Sequence, residues 1–561
     1  MRSVMHWGMR FGAWRRLWPV LAIGLLLLSA FALQDSVMLD VAAAWMLGAL
    51  LVVGWTTFCG PAQEVSLGHA LFFGGAGYIA AILQVRAGAG PFVVLLVAAG
   101  GSALLGCLLA LLTARHRGLY FSMVTMAVQI AVYRVLYVRG DIFGGEEGLT
   151  GIRVAIEGRS ALYVSAGILL LAVGLAATWF LRSKTGLLLG AVGQHETLAR
   201  SLGANLTVLR AAGLTAAAAT AGIGGAAWAL TQGYVSPELA GEELSARAAL
   251  LGCIGGLWSI PGAILASLGW DGFRFVLSRL TDLAGPISAA LLLGLVARPS
   301  RRSAPARPTW DHLLLPPSGP PVGDDDRADS PGLVLRDVSV RFGGLRALES
   351  ISFTLPRGRA MGLIGPNGAG KTTLLNAVAG LIPSGGEMQW GGRSFTRLDT
   401  AARARRGVRK TFQHPARFPD FSAWEHLQVA VAATSTPPLE GPALRTLLTM
   451  CEPLRARPAI QMDSGTVRLL EMAMALVAPP GVLLLDEPYA GLSATQAEAV
   501  SAAIGELKAA GVTLLIVEHR LADMMRAVDD LVVISEGRVL RAGPAAEVLA
   551  DPKVRQVYLG V

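Results

Sequence analysis

Hydrophobic residues dominate the first three hundred positions of the chain and then give way to a mixed pattern. Several apolar runs there approach the roughly 20 residues that a helix needs to cross a membrane. These runs lie near residues 17–33, 41–59, 69–84, 91–113, 119–138, 161–181, 211–230, 248–268 and 284–297. Beyond about residue 332, strand-like runs alternate with helical patterns. The pattern predicts a multi-span α-helical membrane domain over residues 1–298, followed by an α/β domain over residues 332–561.

Positive charges between the runs predict the topology, because cytoplasmic loops carry an excess of lysine and arginine. They place the N-terminus, the turn near 115 and the loop at 182–210 inside, through Arg15, Arg16, Arg115, Arg117, Arg182, Lys184, Arg200 and Arg210. Nine crossings would leave the α/β domain outside, so one run must fail to cross. The glycines and Pro261 of residues 248–268 suit a broken helix, and 284–297 is the alternative. About eight spans are therefore expected.

Composition and charge limit which partners and sites the chain is expected to have. The net charge of +9 comes largely from cations that flank apolar runs, which is typical of membrane proteins and argues against nucleic-acid binding. The four cysteines are scattered, so neither a disulfide nor a zinc site is expected. Residues 299–331 are rich in proline and arginine, which predicts an extended linker. It is either a passive joint between the two domains, which we favour, or a tether whose basic start contacts anionic membrane lipid.

A glycine-rich loop carries the strongest chemical signal in the α/β domain. A strand-like run ends at Ile364, a helical pattern begins at Leu374, and between them lie Gly365, Pro366, Asn367, Gly368, Ala369, Gly370, Lys371, Thr372 and Thr373. The spacing fits the loop whose backbone N–H groups hold the phosphates of a nucleotide at a helix N-terminus. We expect Lys371 to reach the β- and γ-phosphates of ATP and the Thr372 hydroxyl to bind Mg²⁺.

Five further positions are candidates for the expected ATP site. The apolar run at 482–485 ends in Asp486, which would hold Mg²⁺ through water, and in Glu487, placed to act as general base on the attacking water. Gln413 would contribute an oxygen to Mg²⁺ or to that water, and His519, after another apolar strand, would contact the γ-phosphate. Phe342 follows the strand 333–340 and is either an adenine-stacking residue or a core residue.

Three polar residues stand out within the apolar half. His69 either touches a solute or caps a helix, and Gln129 and Arg134 lie in the run 119–138. Polar and ionisable groups within a membrane are functional candidates, although Arg134 is near the end of its run, where a long side chain can reach water. In the loop 182–210, residues 194–203 predict a short amphipathic helix that ends at a glycine. It is either a surface helix or an element that carries motion from the ATPase into the membrane.

With these residues in place, the chain resembles ABC transporters, and more narrowly the importers of branched-chain amino acids. Residues 332–561 resemble their ATP-binding subunit in the phosphate loop and in Arg341-Phe342-Gly343-Gly344-Leu345, Thr411-Phe412-Gln413 and Leu484-Leu485-Asp486-Glu487-Pro488. Residues 41–298 resemble a permease subunit in Ser66-Leu67-Gly68-His69-Ala70, Gly148-Leu149-Thr150-Gly151 and Gly255-Gly256-Leu257.

The resemblance implies a permease subunit fused to its ATPase in the bacterial inner membrane, with the ATPase in the cytoplasm. Its cofactors would be ATP and Mg²⁺. Its partners would be a periplasmic solute-binding protein, a second permease subunit and a second ATPase subunit. The alternatives are an ABC exporter and a regulatory ABC protein that transports nothing.

One motif departs from the family pattern. The signature loop, Leu-Ser-Gly-Gly-Gln or Leu-Ser-Tyr-Gly-Gln in the family, is here Met462-Asp463-Ser464-Gly465-Thr466. In the family this loop faces ATP held by the opposite ATPase domain. A carboxylate ~4 Å from the γ-phosphate is repelled by roughly 4 kcal/mol at an effective dielectric constant near 20, more than the ~1 kcal/mol that a helix dipole recovers. We therefore expect one impaired ATP site, and a hetero-assembly whose partner supplies an intact signature.

Overall fold

The computed structural model describes residues 37–154, 156–297, 332–434, 439, 441–452, 455, 457–518 and 524–556. They belong to two compact units, one comprising Met1–Gly193 with Thr207–Thr309 and the other Gln194–Leu206 with Trp310–Val561. The predicted first span at 17–33, the linker at 299–331 and His519 lie outside the described residues.

The first unit is helical, as predicted. Six described helices are long and apolar enough to cross a membrane: Val37–Ala62, Ala70–Ala87, Pro91–Leu112, Leu119–Val138, Arg159–Arg182 and Leu206–Gln232. The other helices are Gly140–Phe143, Lys184–Gln194, Glu242–Gly255, Ile260–Leu280 and Ala284–Ala297, with two short 3₁₀ helices at Gly145–Glu147 and Pro237–Ala240. Strands β1 (Leu149–Thr150) and β2 (Tyr234–Val235) pair antiparallel. A total of about eight spans stays a prediction, because residues 17–33 are outside the description.

The predicted interruption within residues 248–268 is present. One helix ends at Gly255, Gly256 has a φ of +98°, and the next helix begins at Ile260. The Ser259 hydroxyl caps the new helix by accepting a hydrogen bond from the Gly262 N–H at 3.0 Å. A Cβ atom on Gly262 would lie 1.9 Å from the Gly255 carbonyl oxygen, so glycine is required for the two helices to approach this closely. The run is therefore a tight turn between two packed helices.

The helices of this unit pack through small residues. A Cβ atom on Gly225 would lie 1.9 Å from the Phe73 carbonyl oxygen, and one on Gly54 would lie 2.7 Å from that of Ala217. Lipid tails are as apolar as leucine, so association of helices in a membrane depends on such close backbone packing. The abundance of glycine and alanine in these runs is thus a packing requirement.

The second unit contains two sheets. Strands β4 (Leu345–Leu355), β3 (Leu333–Phe342), β6 (Gly385–Trp390) and β7 (Arg393–Ser394) form an antiparallel sheet in that order. The larger sheet has the order β12 (Arg538–Pro544), β11 (Asp530–Ser535), β5 (Ala360–Ile364), β10 (Thr513–Val517), β9 (Val482–Asp486) and β8 (Val408–Lys410). The helices are Glu196–Ser201, Lys371–Ala379, Thr400–Arg405, Ala423–Ala432, Pro442–Cys451, Ser464–Val477, Ala494–Ala509, Ala545–Ala550 and Pro552–Val554, with a 3₁₀ helix at Ala459–Gln461.

The larger sheet positions the predicted site. Strands β5, β8, β9, β10 and β11 run parallel, and only the edge strand β12 is antiparallel. Strands β5, β9 and β10 are wholly buried, which explains their continuous apolar sequences. Because carboxyl ends of parallel strands share one edge, the residues that follow β5, β8 and β9 meet there. These are the phosphate loop, Gln413 and Glu487.

Candidate functional site

The phosphate loop connects β5 to the helix that begins at Lys371. Gly370 has a φ of +100°, and a Cβ atom there would lie 2.8 Å from the Ala347 carbonyl oxygen, so this turn requires glycine. The Lys371 ammonium donates hydrogen bonds to the carbonyls of Gly365 at 2.7 Å and Pro366 at 2.9 Å. Burial lowers the pKa of Lys371, against the opposing effect of Glu487 and Asp486. The cation is thus held beside the loop.

A cavity of about 530 Å³ brings most of the predicted ATP-site residues together. It is lined by Asn367, Gly368, Ala369, Gly370, Lys371, Thr372 and Thr373 from the loop, and by Phe342, Gln413 and Glu487. Phe342 is 50% exposed at the end of β3. A half-exposed ring on the rim of this cavity is available to stack on a base, and the interpretation of Phe342 as a core residue does not fit its exposure.

Asp486 ends β9 as a fully buried carboxylate. Its Oδ2 lies 3.0 Å from the ammonium of Lys410, which is also buried. Its Oδ1 is buried and has no hydrogen-bond partner among the described residues. A carboxylate oxygen left without a donor is the group that a metal ion or its bound water requires. The residues present therefore fit Mg²⁺.

Glu487 adopts a strained backbone conformation at the start of the loop after β9. Its φ is +53°, which is unusual for a residue other than glycine, and its N–H donates to the Val517 carbonyl at 2.9 Å. The Gln413 amide donates to Glu487 Oε1 at 2.8 Å. The strained turn thus places the carboxylate at the cavity wall, where Gln413 orients it.

Two buried charges that the sequence analysis did not single out anchor the Gln413 loop. The Arg468 guanidinium, 1% exposed, donates to the carbonyls of Phe412 at 2.6 Å and Gln413 at 2.7 Å. Glu471 lies 3.0 Å from Arg468 and accepts a hydrogen bond from the Ala416 N–H at 3.1 Å. The only sequence signal was a pair of charges three residues apart on an otherwise apolar helix. Together they fix the loop to the helix Ser464–Val477.

Asp463 caps that same helix. Its Oδ1 accepts a hydrogen bond from the Thr466 N–H at 3.0 Å, and its Oδ2 accepts one from the Thr466 hydroxyl at 2.7 Å. These bonds lower the pKa of Asp463, so it stays ionised at neutral pH. Ser464 is the first residue of the helix, followed by Gly465. Ser493 is likewise an N-cap, forming a capping box with Gln496.

Residues 194–206, which we call the coupling segment, contain the predicted short helix at Glu196–Ser201. Leu202 caps the end of the helix, and Gly203 follows with a φ of +109°. Within the second unit, Gln194 Oε1 accepts a hydrogen bond from the Asp420 N–H at 2.7 Å, and the Gly203 carbonyl accepts one from Arg405 at 2.9 Å. Leu198 is buried. The segment is therefore a packed part of the ATPase unit, and the interpretation as a solvated surface helix does not fit.

The three candidates in the membrane half occupy different settings. His69 is buried at the start of the helix Ala70–Ala87 and makes no capping hydrogen bond. Gln129 is buried; its amide donates to the Ala240 carbonyl, and it accepts a hydrogen bond from the Ser245 hydroxyl, both at 2.9 Å. Arg134 is exposed. Gln129 thus joins elements of the helical unit.

Two family models match the chain in succession. The first, described as the permease component of a branched-chain amino acid transport system, matches residues 37–295. The second, described as an ABC transporter, matches residues 348–490.

Curated relatives and solved structures match part of the chain. It is 32% identical over 250 residues to the high-affinity branched-chain amino acid transport ATP-binding protein BraF of Pseudomonas aeruginosa, covering 41% of this chain and 98% of that protein. It is 32% identical over 217 residues to the lipopolysaccharide export system ATP-binding protein LptB of Acidithiobacillus ferridurans, covering 38% of this chain and 90% of the relative. A crystal structure of a nucleotide-free ATP-binding cassette from an ABC transporter is 28% identical, covers 41% of this chain and 100% of that cassette, and has a TM-score of 0.36.

Glu471 provides a pH-dependent test of the buried anchor. Burial raises its pKa from 4.5 to about 7, although Arg468 opposes this. The folded state thus holds the proton more tightly than the unfolded state, so this contribution to stability is complete below pH ~4.5 and is lost as pH rises through about 7. As pH rises from 4.5 to about 7, the unfolding free energy of the wild type should fall by about 3 kcal/mol relative to that of Glu471→Gln, which has no titratable group at this position. Thermal and denaturant unfolding of both proteins across this pH range measures the difference.

Glu452→Gln is the matched control, because Glu452 is 63% exposed in an ion pair with Arg455. Its stability should differ from that of the wild type by a nearly constant amount across the range. Parallel pH profiles for Glu471→Gln and the wild type would contradict the assignment.

Proposed function

Because this chain belongs to the ABC transporters of the branched-chain amino acid system, in which ATP hydrolysis is coupled to transport, we propose that it is a fused permease and ATPase subunit that imports amino acids. The observation that carries the proposal is the match of a permease family and then of an ATPase family within one chain. We place the domain boundaries at 1–298, 299–331 and 332–561. The proposed location is the bacterial inner membrane, with the ATPase on the cytoplasmic side, and a periplasmic binding protein would deliver the solute.

The direction of transport rests on the membrane half. ATP-binding proteins of different systems are similar to this chain, and one of them is named as part of an export system. An exporter also requires long helical extensions into the cytosol. The inner loop 182–210 holds only two short helices, Lys184–Gln194 and, in the coupling segment, Glu196–Ser201. This short loop and the permease match favour import over export.

The proposed hydrolytic step uses residues at the carboxyl edge of the larger sheet. Lys371 would exchange its loop carbonyls for the β- and γ-phosphates of ATP. Mg²⁺, bound by Thr372 and Gln413 and through water by Asp486, would neutralise phosphate charge. Glu487 would accept the proton of the attacking water, and the proposed contact of His519 with the γ-phosphate completes the site.

The proposed signature defect follows from the hydrogen bonds of Asp463. Both carboxylate oxygens are bound to Thr466, so the charge stays at the N-terminus of the helix Ser464–Val477. A helix N-terminus attracts phosphate through its dipole, and a fixed anion there opposes that attraction. In a homodimer this defect would affect both ATP sites. We therefore propose a hetero-assembly with a second ATPase subunit, as well as a second permease subunit.

Uptake into vesicles tests the proposed import. The chain and its companion subunits, reconstituted with ATP on the side of the ATPase domain, should carry labelled leucine, isoleucine or valine toward that side. Glu487→Gln keeps the size of the side chain but removes the base, so we expect ATP hydrolysis and uptake to fall by at least about a hundredfold. ATP-dependent movement of solute away from the ATPase side would show an exporter. Nucleotide binding without turnover or transport would support a regulatory protein.

The hetero-assembly is tested by Asp463→Ser. Hydrolysis in the complete complex should stay equal or rise, because removing this carboxylate relieves the repulsion of the γ-phosphate. The steady-state ATPase rate measures the effect. Strong hydrolysis by the wild-type chain without a second ATPase subunit would refute the proposed hetero-assembly.

The coupling segment is tested by Gln194→Leu. This change removes the oxygen that accepts from the Asp420 N–H, so motion should pass less efficiently between ATPase and membrane. We expect uptake per ATP hydrolysed to fall about tenfold while ATP hydrolysis continues. Arg200→Gln is the control, because Arg200 pairs only loosely, at 3.7 Å, with Glu196 in the same short helix. An unchanged ratio of uptake to hydrolysis in Gln194→Leu would contradict this role.

A further inference from the structure

A cavity in the helical unit has the dimensions and chemistry of a small-ligand site. Its volume is about 440 Å³, within the range typical of ligand pockets. Most of its wall is apolar and aromatic, including Trp45, Phe73 and Trp228. Its polar lining comes largely from two helices, Glu242–Gly255 and Ile260–Leu280.

One face of the helix Ile260–Leu280 is polar where it lines this cavity. The residues, spaced three or four apart, are Ser267, Asp271, Arg274 and Ser278. This spacing puts them on one side of a helix. Scattered polar residues on a membrane helix can point anywhere, but a continuous stripe along a cavity gives that cavity a hydrogen-bonding wall.

The cavity lining carries more positive than negative side chains. Asp271 forms an ion pair with Arg247 of the neighbouring helix, and both side chains are largely buried. Arg274, which is partly buried, lines the same cavity and also acts electrostatically on the Asp271 carboxylate. The described lining thus carries two cations and one anion. An excess cation in an apolar setting is costly, and a bound anion offsets that cost.

We propose that this cavity binds the transported solute as a zwitterionic amino acid. The α-carboxylate of the ligand pairs with Arg274, and its α-ammonium pairs with Asp271, which Arg247 holds in place. The apolar side chain of the ligand contacts the aromatic wall around Trp45 and Phe73. The proposal rests on the proposed import function and adds the cavity and the residues that would recognise the amino acid.

The pattern fits a ligand better than a structural ion pair. Arg247 and Asp271 alone would complete such a pair, and a second arginine and two serines in the same stripe would then be superfluous. A lipid headgroup would satisfy Arg274 through its phosphate. The aromatic wall and the adjacent carboxylate, however, match a small molecule that carries both charges beside an apolar group.

Equilibrium binding to the full chain in nanodiscs of phosphatidylcholine tests the proposal, without nucleotide or binding protein. The probe is radiolabelled L-leucine, and the competitors are isocaproate, which lacks the ammonium group, and isoamylamine, which lacks the carboxylate. Arg274→Gln should weaken leucine binding by about tenfold or more and abolish competition by isocaproate, while competition by isoamylamine is unchanged. Arg274→Lys keeps the charge and should bind leucine with intermediate affinity. Asp271→Asn should selectively abolish competition by isoamylamine.

Arg134→Gln is the matched control, because Arg134 is an exposed arginine on a membrane helix outside the cavity, and it should bind leucine as the wild type does. Equal leucine affinity in Arg274→Gln and the wild type would overturn the proposal. A second result would also overturn it: neither protein binds leucine, and the wild type retains phosphatidylglycerol that Arg274→Gln loses. The cavity would then hold a lipid phosphate. ATP-driven uptake is measured separately on the same variants. If Arg274→Gln takes up solute as well as the wild type does, this cavity is not the solute site, but the proposed import function is unaffected.

Discussion

The ATPase unit depends on one buried guanidinium, that of Arg468. It binds two successive backbone carbonyls, those of Phe412 and Gln413, and lies 3.0 Å from the carboxyl group of Glu471. The loop that carries Gln413 to the ATP cavity is thereby fixed to the helix Ser464–Val477. A buried arginine without its partners would cost several kcal/mol, so these parts are constrained to move together.

The same loop continues into the contact with the coupling segment. Gln194 binds the backbone at Asp420, a few residues beyond Gln413, and the ring of His195 lies 6.4 Å from that of Phe412. The loop that follows β8 therefore contacts both the ATP cavity, through Gln413, and residues 194–206, through the Asp420 N–H. Asp463 caps the helix Ser464–Val477, which also carries Arg468.

The helical unit is under a different physical constraint, the association of helices within lipid. Its helices have no hydrophobic driving force toward one another in lipid, and glycines such as Gly225 and Gly262 allow the backbones to meet. Charges are costly in that environment. Asp271 and Arg247 are accordingly paired. Arg274 lines the same cavity, where we propose that a ligand carboxylate pairs with it.

The sequence by itself determined what local pattern encodes: the apolar helices, the break near Gly256, the short helix that Gly203 follows, and the phosphate loop. It also identified the strand end that carries Glu487, whereas the short strand β8 before Gln413 was not predicted. Only the tertiary structure decided the partners of buried charges. Lys410 meets Asp486 across 76 residues, and Arg468 meets Gln413 across 55. Helix and strand periodicity in the sequence reflects only which face of an element is buried. The pairing of buried charges depends on their distance in the folded, low-dielectric interior, so no local pattern encodes it.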